Sequence, residues 1–373
     1  MSSPFVYEEP VAAVDLVDRE AELAALRDRA GDARNSRLEG PRRYGKTSLL
    51  RAALAETAAD GAITVEVNFL GCVTATDAAD RIERAYSAQL DGALRRWFTG
   101  VVRTLRPTLS AAPGGVGVRA RPEPATPGLL DRLALPRRIH ERTGRQCVIA
   151  FDEFQELLRI DPALPGTFRS ELETHGRAAA YVFSGSHPGL MRELFADRRH
   201  AFFAQAAPVD LGPLPPDALA EFIAGRFAAG RRDPGEALGP LLDAAEGHPQ
   251  RAMLLAHHLY SRTRRDHPAD AETWLVAQDA ARREAAGELE VLWAASTTLE
   301  RRVLKVVAHH TVALQGREAA ERFGLAKSGS TGVALERLVR DGVLVADAAA
   351  RSGYRVLDPF LAAWLRADDG TSR

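Results

Sequence analysis

The nine residues Gly40-Pro41-Arg42-Arg43-Tyr44-Gly45-Lys46-Thr47-Ser48 satisfy G-x-x-x-x-G-K-[ST] at every fixed position. A loop of this pattern wraps phosphate oxygens in backbone amides, which commits the chain to one local geometry. A strand must feed the loop and a helix must leave it, because the amides converge at a helix N-terminus. Asn35 to Glu39 reads as that strand and Ser48 to Leu54 as that helix, with Leu50 and Leu54 one turn apart. Gly40 and Gly45 permit the turn, and the amides from Arg43 to Thr47 point at the phosphates. Lys46 reaches the β- and γ-phosphates, and the Thr47 hydroxyl ligates Mg²⁺. Gly40, Arg43, Tyr44, Gly45, Lys46, Thr47 and Ser48 are thus the candidate nucleotide-binding residues.

Further apolar runs read as strands: Ile63 to Leu70, Gln146 to Phe151, Ala179 to Ser184 and Pro208 to Leu211. Strands separated by helical stretches imply a parallel α/β sheet covered by helices on both faces. The strand through Val148-Ile149-Ala150-Phe151 ends in Asp152-Glu153. That placement suits Asp152 to hold Mg²⁺, usually through water, and Glu153 to orient and polarise the attacking water.

Between Leu70 and Gln146 lies more chain than a simple crossover needs, including a Pro/Gly-rich run from Arg106 to Pro127. Within it Leu94, Trp97, Phe98, Val101 and Leu105 fall at helical spacing, flanked by Arg95, Arg96, Arg103 and Arg106. Such a basic amphipathic helix either packs on the sheet with a solvated arginine face or offers a surface to nucleic acid or an acidic partner. From Pro215 the pattern becomes helical, with Leu219, Phe222, Ile223 and Phe227 on one stripe and further helices over 234–245, 250–262 and 271–295. Thr298 to Arg366 reads as three helices, two short strands and a closing helix, the order of a winged helix-turn-helix. The expected domains are a core over 1–213, a helical lid over 214–297 and a winged helix over 298–373.

Charge is nearly balanced, with 49 basic and 50 acidic residues, so the whole molecule is no electrostatic sponge for nucleic acid. Cys72 and Cys147 are too few for a disulfide framework or a C-x-x-C metal site. The N-terminus has no signal-like pattern and no apolar run approaches a membrane span; a cytoplasmic protein without membrane contact is expected. His257-His258 and His309-His310 lack the spacing of a metal site.

Leu16-Val17-Asp18-Arg19-Glu20-Ala21-Glu22-Leu23, the phosphate loop with Leu49-Leu50, and Phe151-Asp152-Glu153-Phe154-Gln155 resemble the archaeal-type ATPase family. That family belongs to the P-loop NTPase class shared by AAA+ and STAND proteins. The resemblance extends to Phe183-Ser184-Gly185-Ser186, Glu246-Gly247-His248-Pro249 and Leu357-Asp358-Pro359-Phe360, covering nearly the whole chain. It implies a P-loop ATPase core with ATP and Mg²⁺ as cofactors, followed by a lid and a winged helix. It also implies that Arg19 lies beside the adenine, that Ser184 or Ser186 senses the γ-phosphate, and that His248-Pro249 contacts nucleotide from the lid. The chain departs from some relatives in reading Phe203-Ala204-Gln205 where they have Tyr-Gly-Arg. Arg198 and Arg199 lie nearby, and Arg199 is the candidate to act in trans.

The winged-helix stretch carries eleven Arg/Lys against seven Asp/Glu. Its third helix could present Arg337 and Arg340, and its wing Arg351 and Arg355, to duplex DNA; Glu336 and Asp341 interrupt that surface, and winged helices also dock proteins. Three readings follow: an ATPase switch that hydrolyses ATP slowly, a DNA-binding regulator with nucleotide as structural ligand and negligible turnover, and an ATP-dependent scaffold that oligomerises on a partner protein. The expected partners are ATP or ADP, duplex DNA, and a protein partner or a second copy of the chain.

Overall fold

The computed structural model describes residues 3–105, 125–309, 312–325 and 329–368. Most of the Pro/Gly-rich run after Arg106, together with His310, lies outside them. Five strands, β1 (Ser36–Glu39), β2 (Ile63–Asn68), β3 (Cys147–Asp152), β4 (Ala179–Ser184) and β5 (Ala207–Asp210), form one sheet in the order β2-β3-β4-β1-β5. Every pairing is parallel. β3 and β4 are buried along their whole length, as central strands covered on both faces must be. β2 lies at an edge and alternates buried with half-buried positions. It stops at Asn68, two residues before the apolar run does, because Asn68 Oδ1 accepts the amide of Leu70 and turns the chain.

The two faces of the sheet are chemically different. Val148, Ala150, Ala180 and Val182 share a core with Leu26, Leu49, Leu50 and Ala53, which come from α1 (Glu20–Gly31) and α2 (Lys46–Ala59). Small strand residues let α2 approach closely. The alternate positions Ile149, Phe151, Tyr181 and Phe183 point the other way into an aromatic core with Phe69, Phe154, Phe168, Phe195 and Phe202. The helices on that side are α3 (Ala75–Gln89), α4 (Gly92–Leu105), α5 (Ala125–Leu133), α6 (Leu135–Thr143), α7 (Glu156–Ile160), α8 (Leu164–Leu172) and α9 (Pro188–Ala196). The amphipathic helix α4 packs by its apolar stripe: Phe98 stacks on Tyr86 of α3 with ring centroids 6.0 Å apart, and Arg142 of α6 lies over Trp97. Arg95 and Arg96 are exposed.

Beyond β5 come α10 (Pro216–Ala229), α11 (Leu238–Ala245), α12 (Pro249–Arg262) and α13 (Ala271–Ala295). Then follow α14 (Thr298–Ala308), α15 (Arg317–Phe323), α16 (Gly329–Arg340), the antiparallel pair β6 (Leu344–Ala346) and β7 (Tyr354–Val356), and α17 (Pro359–Asp368). A capping box, Thr297 with Glu300, starts α14. One continuous apolar core runs from Leu219 of α10 through Leu255 and Leu304 to Leu365 of α17, so the helical segment and the winged helix are packed as one body. The N-terminal segment joins them: Phe5 sits among Phe222, Phe227 and Tyr260, and the amide of Val11 donates to Ser48 Oγ at 3.0 Å. Among the described residues, no helix is long and apolar enough to cross a membrane.

Candidate nucleotide site

In a parallel sheet the loops leaving the C-terminal strand ends make the ligand crevice. β1 delivers the phosphate loop there, β3 delivers Asp152-Glu153, and β4 delivers Ser184 to Ser186. Gly40 has φ +153°, and a Cβ on it would lie 3.0 Å from Leu211 Cβ and 3.1 Å from the Leu211 carbonyl; glycine is what lets the loop cross the exit of β5. Gly45, at φ +85°, is the N-cap of α2. The first-turn amides of α2 have no partners within the helix and open into a cavity of about 310 Å³. This cavity is bounded by Arg43 to Ser48, Asp152, Glu153 and Ser186.

Lys46 is buried, and its Nζ donates to the carbonyls of Gly40 at 2.8 Å and Pro41 at 2.6 Å. Burial pushes its ammonium down to about 8, opposed in part by the Glu153 and Asp152 carboxylates. Polyphosphate would favour the charged form and raise it again. Triphosphate binding is therefore expected to take up a proton above pH 8, and affinity to weaken as pH rises through that range. Calorimetric titration at pH 8.5 in two buffers of different ionisation enthalpy reads the uptake directly; no uptake would show that Lys46 does not meet the phosphates.

Asp152 is buried at the end of β3. Asn68, its register partner on β2, donates Nδ2 to Asp152 Oδ2 at 3.2 Å. Burial raises the Asp152 carboxyl, and the neighbouring Ser184 hydroxyl offsets part of the rise. Glu153 turns out of the strand at φ +54°. Its Oε2 accepts Ser186 Oγ at 2.7 Å, the Ser186 amide at 3.3 Å and Gln155 Nε2 at 2.5 Å, so the Ser186 hydroxyl is engaged with Glu153. Thr47 and Asp152 line the same cavity, and the described residues contain no group of three or more His, Cys, Asp or Glu that could hold a metal. A hydroxyl and one carboxylate do not cage a cation. They fit Mg²⁺ that takes its other ligands from phosphate and water.

The other wall is made by the N-terminal segment and the helical segment. Val11, Leu16, Val17, Leu214, Phe222 and Met253 form an apolar recess of the kind a base requires. Arg19, buried at the N-cap of α1, is tied to Glu22 at 3.0 Å and to the Gly212 carbonyl at 2.6 Å. Tyr44 and His248 are both buried and meet edge to face at 4.8 Å. His248 caps α12, its Nδ1 accepting the Arg251 amide at 3.4 Å. Burial pulls its imidazole down to about 4, so the ring is neutral near pH 7. Pro249 lines the cavity beside it.

A chain of ion pairs that no local sequence pattern encodes joins the phosphate loop to the winged helix. Arg43 of the phosphate loop pairs with Glu288 of α13. Glu288 also pairs with Arg251 of α12, which in turn holds Asp358, immediately before α17, with Nε to Oδ1 at 3.1 Å and a second nitrogen to Oδ2 at 2.5 Å. Arg251 is 1% exposed and lies over the Phe360 ring at 4.9 Å. Burial works against the Asp358 charge, but Arg251 outweighs it and holds the carboxyl below its ordinary range. Four charges, spread from position 43 to position 358, thus join loop, helical segment and winged helix. Arg43 and Asp358 lie in segments that stand out in the sequence and Arg251 closely follows His248-Pro249, but nothing in their spacing tells which of them meet.

Arg199 stands apart from the cavity: its side chain is 86% exposed and held by Asp197 at 2.6 Å, in a groove between α9 and α16. Arg198 lies over Phe203. His258 bonds Glu284 at 2.8 Å and His257 packs on Tyr7.

No protein-family model matches the sequence, and no curated protein does. Solved structures do. The chain is similar to a Walker-type ATPase of Pyrococcus abyssi at a TM-score of 0.70 and 19% identity, over 97% of this chain and 99% of that one. It is similar to the ORC2 protein of Aeropyrum pernix, solved as ADPNP–ADP complexes, at a TM-score of 0.61 and 17% identity, over 99% and 97% of the two chains. The ADP form of that protein gives 0.54 at 15% identity, over 99% of each. At such identities the likeness is one of fold, and it covers the parallel sheet, the helical segment and the winged helix together.

Proposed function

We propose that this protein is an intracellular Mg-ATP-binding switch that hydrolyses ATP slowly and reports its nucleotide state through the lid and the winged helix. The observation that carries the reading is the charge chain Arg43, Glu288, Arg251, Asp358, which begins on a loop built for phosphate and ends on the winged helix. In this reading Arg43, Tyr44, Gly45, Lys46, Thr47 and Ser48 bind the phosphates, and Thr47 and Asp152 hold Mg²⁺. Glu153 orients the attacking water, the apolar recess near Arg19 takes the base, and His248-Pro249 closes on the nucleotide from the lid. When a triphosphate arrives, its charge competes with Glu288 for Arg43; Glu288 is then left to Arg251 alone, and the grip on Asp358 changes. Lys46→Ala is expected to weaken ATP binding by about 10- to 150-fold, the worth of a hydrogen bond to a charged group. Unchanged affinity in a direct titration would end the reading.

DNA reading by the winged helix requires a different arrangement of the same parts. Arg337 faces Glu300 at 3.4 Å and Asp341 at 3.7 Å, Arg340 faces Asp341 at 3.7 Å, and Arg355 faces Asp347 at 3.9 Å. The C-terminal end of α16 lies on α9, so duplex contact is a property of the undocked winged helix. Arg199, exposed on the same side, is the residue through which a second copy would act in trans.

A further inference from the structure

The loop between β4 and α9 holds Glu153 at one end and touches the winged helix at the other. Ser186 gives its hydroxyl and its amide to Glu153 Oε2. Gln155, wholly buried, divides its amide between Glu153 Oε2 at 2.5 Å and His187 Nδ1 at 3.3 Å. Gly185 allows this packing, since a Cβ there would fall 2.2 Å from Gln155 Oε1 and 2.6 Å from Met191 Sδ. Glu153 thus has one oxygen anchored by three donors while its carboxylate faces the cavity and Lys46. His187 is the N-cap of α9 and Pro188 its first residue. At Gly189 the winged helix arrives: a Cβ there would lie 2.5 Å from Arg340 Cα and 2.7 Å from Arg340 Cβ, so the backbones meet with nothing between. Gly342, just past α16, sits over Pro188, where a Cβ would be 3.1 Å from the ring.

We propose that the docked winged helix sets the position of Glu153, with Ser186 and Gln155 as the positioning residues. The proposal rests on the ATPase reading above and adds the regulation of that site. The loop from Gly185 to His187 has one rigid end, β4, and one end whose place depends on Arg340 and Gly342. Undocking frees the start of α9 and with it the two Ser186 donors. The phosphate loop, carried by β1 and α2, is tied to the winged helix by a separate contact, the chain Arg43, Glu288, Arg251 and Asp358. Displacement of about 1 Å in a catalytic group costs on the order of 100-fold in rate, so a ligand or partner that draws α16 away from α9 would switch hydrolysis off at Glu153, while the charge chain through Asp358 acts on nucleotide affinity.

The test uses the full chain and measures kcat and ATP affinity separately. Ser186→Ala is expected to lower kcat about 100-fold with affinity unchanged, and Ser186→Thr, which keeps the hydroxyl, to restore most of it. Gly189→Val forces α16 off α9 and is expected to lower kcat similarly, with no further loss when combined with Ser186→Ala. Arg340→Glu, placed beside Asp341 and one turn from Glu336, loosens the same contact from the exposed side if Gly189→Val does not fold. Full turnover in both docking variants, or losses that multiply with Ser186→Ala, would overturn the proposal. Turnover that survives Glu153→Gln, or is absent from the wild type, would instead remove the ATPase reading and this proposal with it.

Discussion

Glu153→Gln is expected to lower ATP turnover by about 100- to 10,000-fold, the usual worth of a positioned general base, while ATP affinity stays close to that of the wild type. The amide keeps the size of the carboxylate and can still accept from Ser186 and Gln155 through its oxygen, so the fold and the phosphate loop are undisturbed. What is lost is the negative group at the water. Single-turnover hydrolysis alongside an equilibrium titration separates the two effects. A variant that bound ATP poorly would place Glu153 in the binding machinery, and one that hydrolysed normally would exclude it as the base.

Asp358→Ala is expected to lower the stability of the molecule by about 3 kcal/mol, the lower end for breaking a buried ion pair. The lower end applies because the Asp358 side chain keeps 26% of its area exposed and Arg251 retains Glu288. Arg251, with 2% of its side chain exposed, cannot turn to water, and it would compete with Arg43 for the one remaining carboxylate. Loosening of the winged helix and a change in nucleotide affinity should therefore appear together in one variant, read by thermal unfolding with and without ATP. Stability lowered with no change in affinity would mean that the charge chain is structural only. Acidification offers a check without mutation. The unfolded His248 binds its proton near 6.5 and the folded one near 4, so stability falls between those values as pH drops. Asp358, held low when folded, contributes stability that is lost as pH falls below the ordinary carboxylate range.

The parts that were legible in the sequence are those where a local pattern carries the physics. The burial of β3 and β4 on both faces shows as unbroken apolar runs, and the helices from Pro216 to Ala295 as apolar stripes. The phosphate loop shows because φ values of +153° and +85° demand glycine at fixed spacing. Asn68 did not show, since an asparagine at a strand end is read as a turn residue until register sets it against Asp152. Gln155 did not show either: its importance lies in being wholly buried beside Glu153, which no spacing reveals. Ser184 or Ser186 was expected to sense the γ-phosphate from a strand end; that the Ser186 hydroxyl also meets Glu153 is set by the tertiary structure and has no local signal.

The sequence by itself determined that this chain builds a phosphate loop, an Asp-Glu strand end, a helical segment and a winged helix, because each is encoded within a few turns of chain. Only the tertiary structure decided how they act on one another. The contacts that join them, Arg43 with Glu288, Arg251 with Asp358, and Gly189 with Arg340, link residues roughly one hundred to two hundred and fifty positions apart. Such pairs carry no local periodicity. They exist because one continuous core seats the helical segment and the winged helix as a single body against the nucleotide crevice.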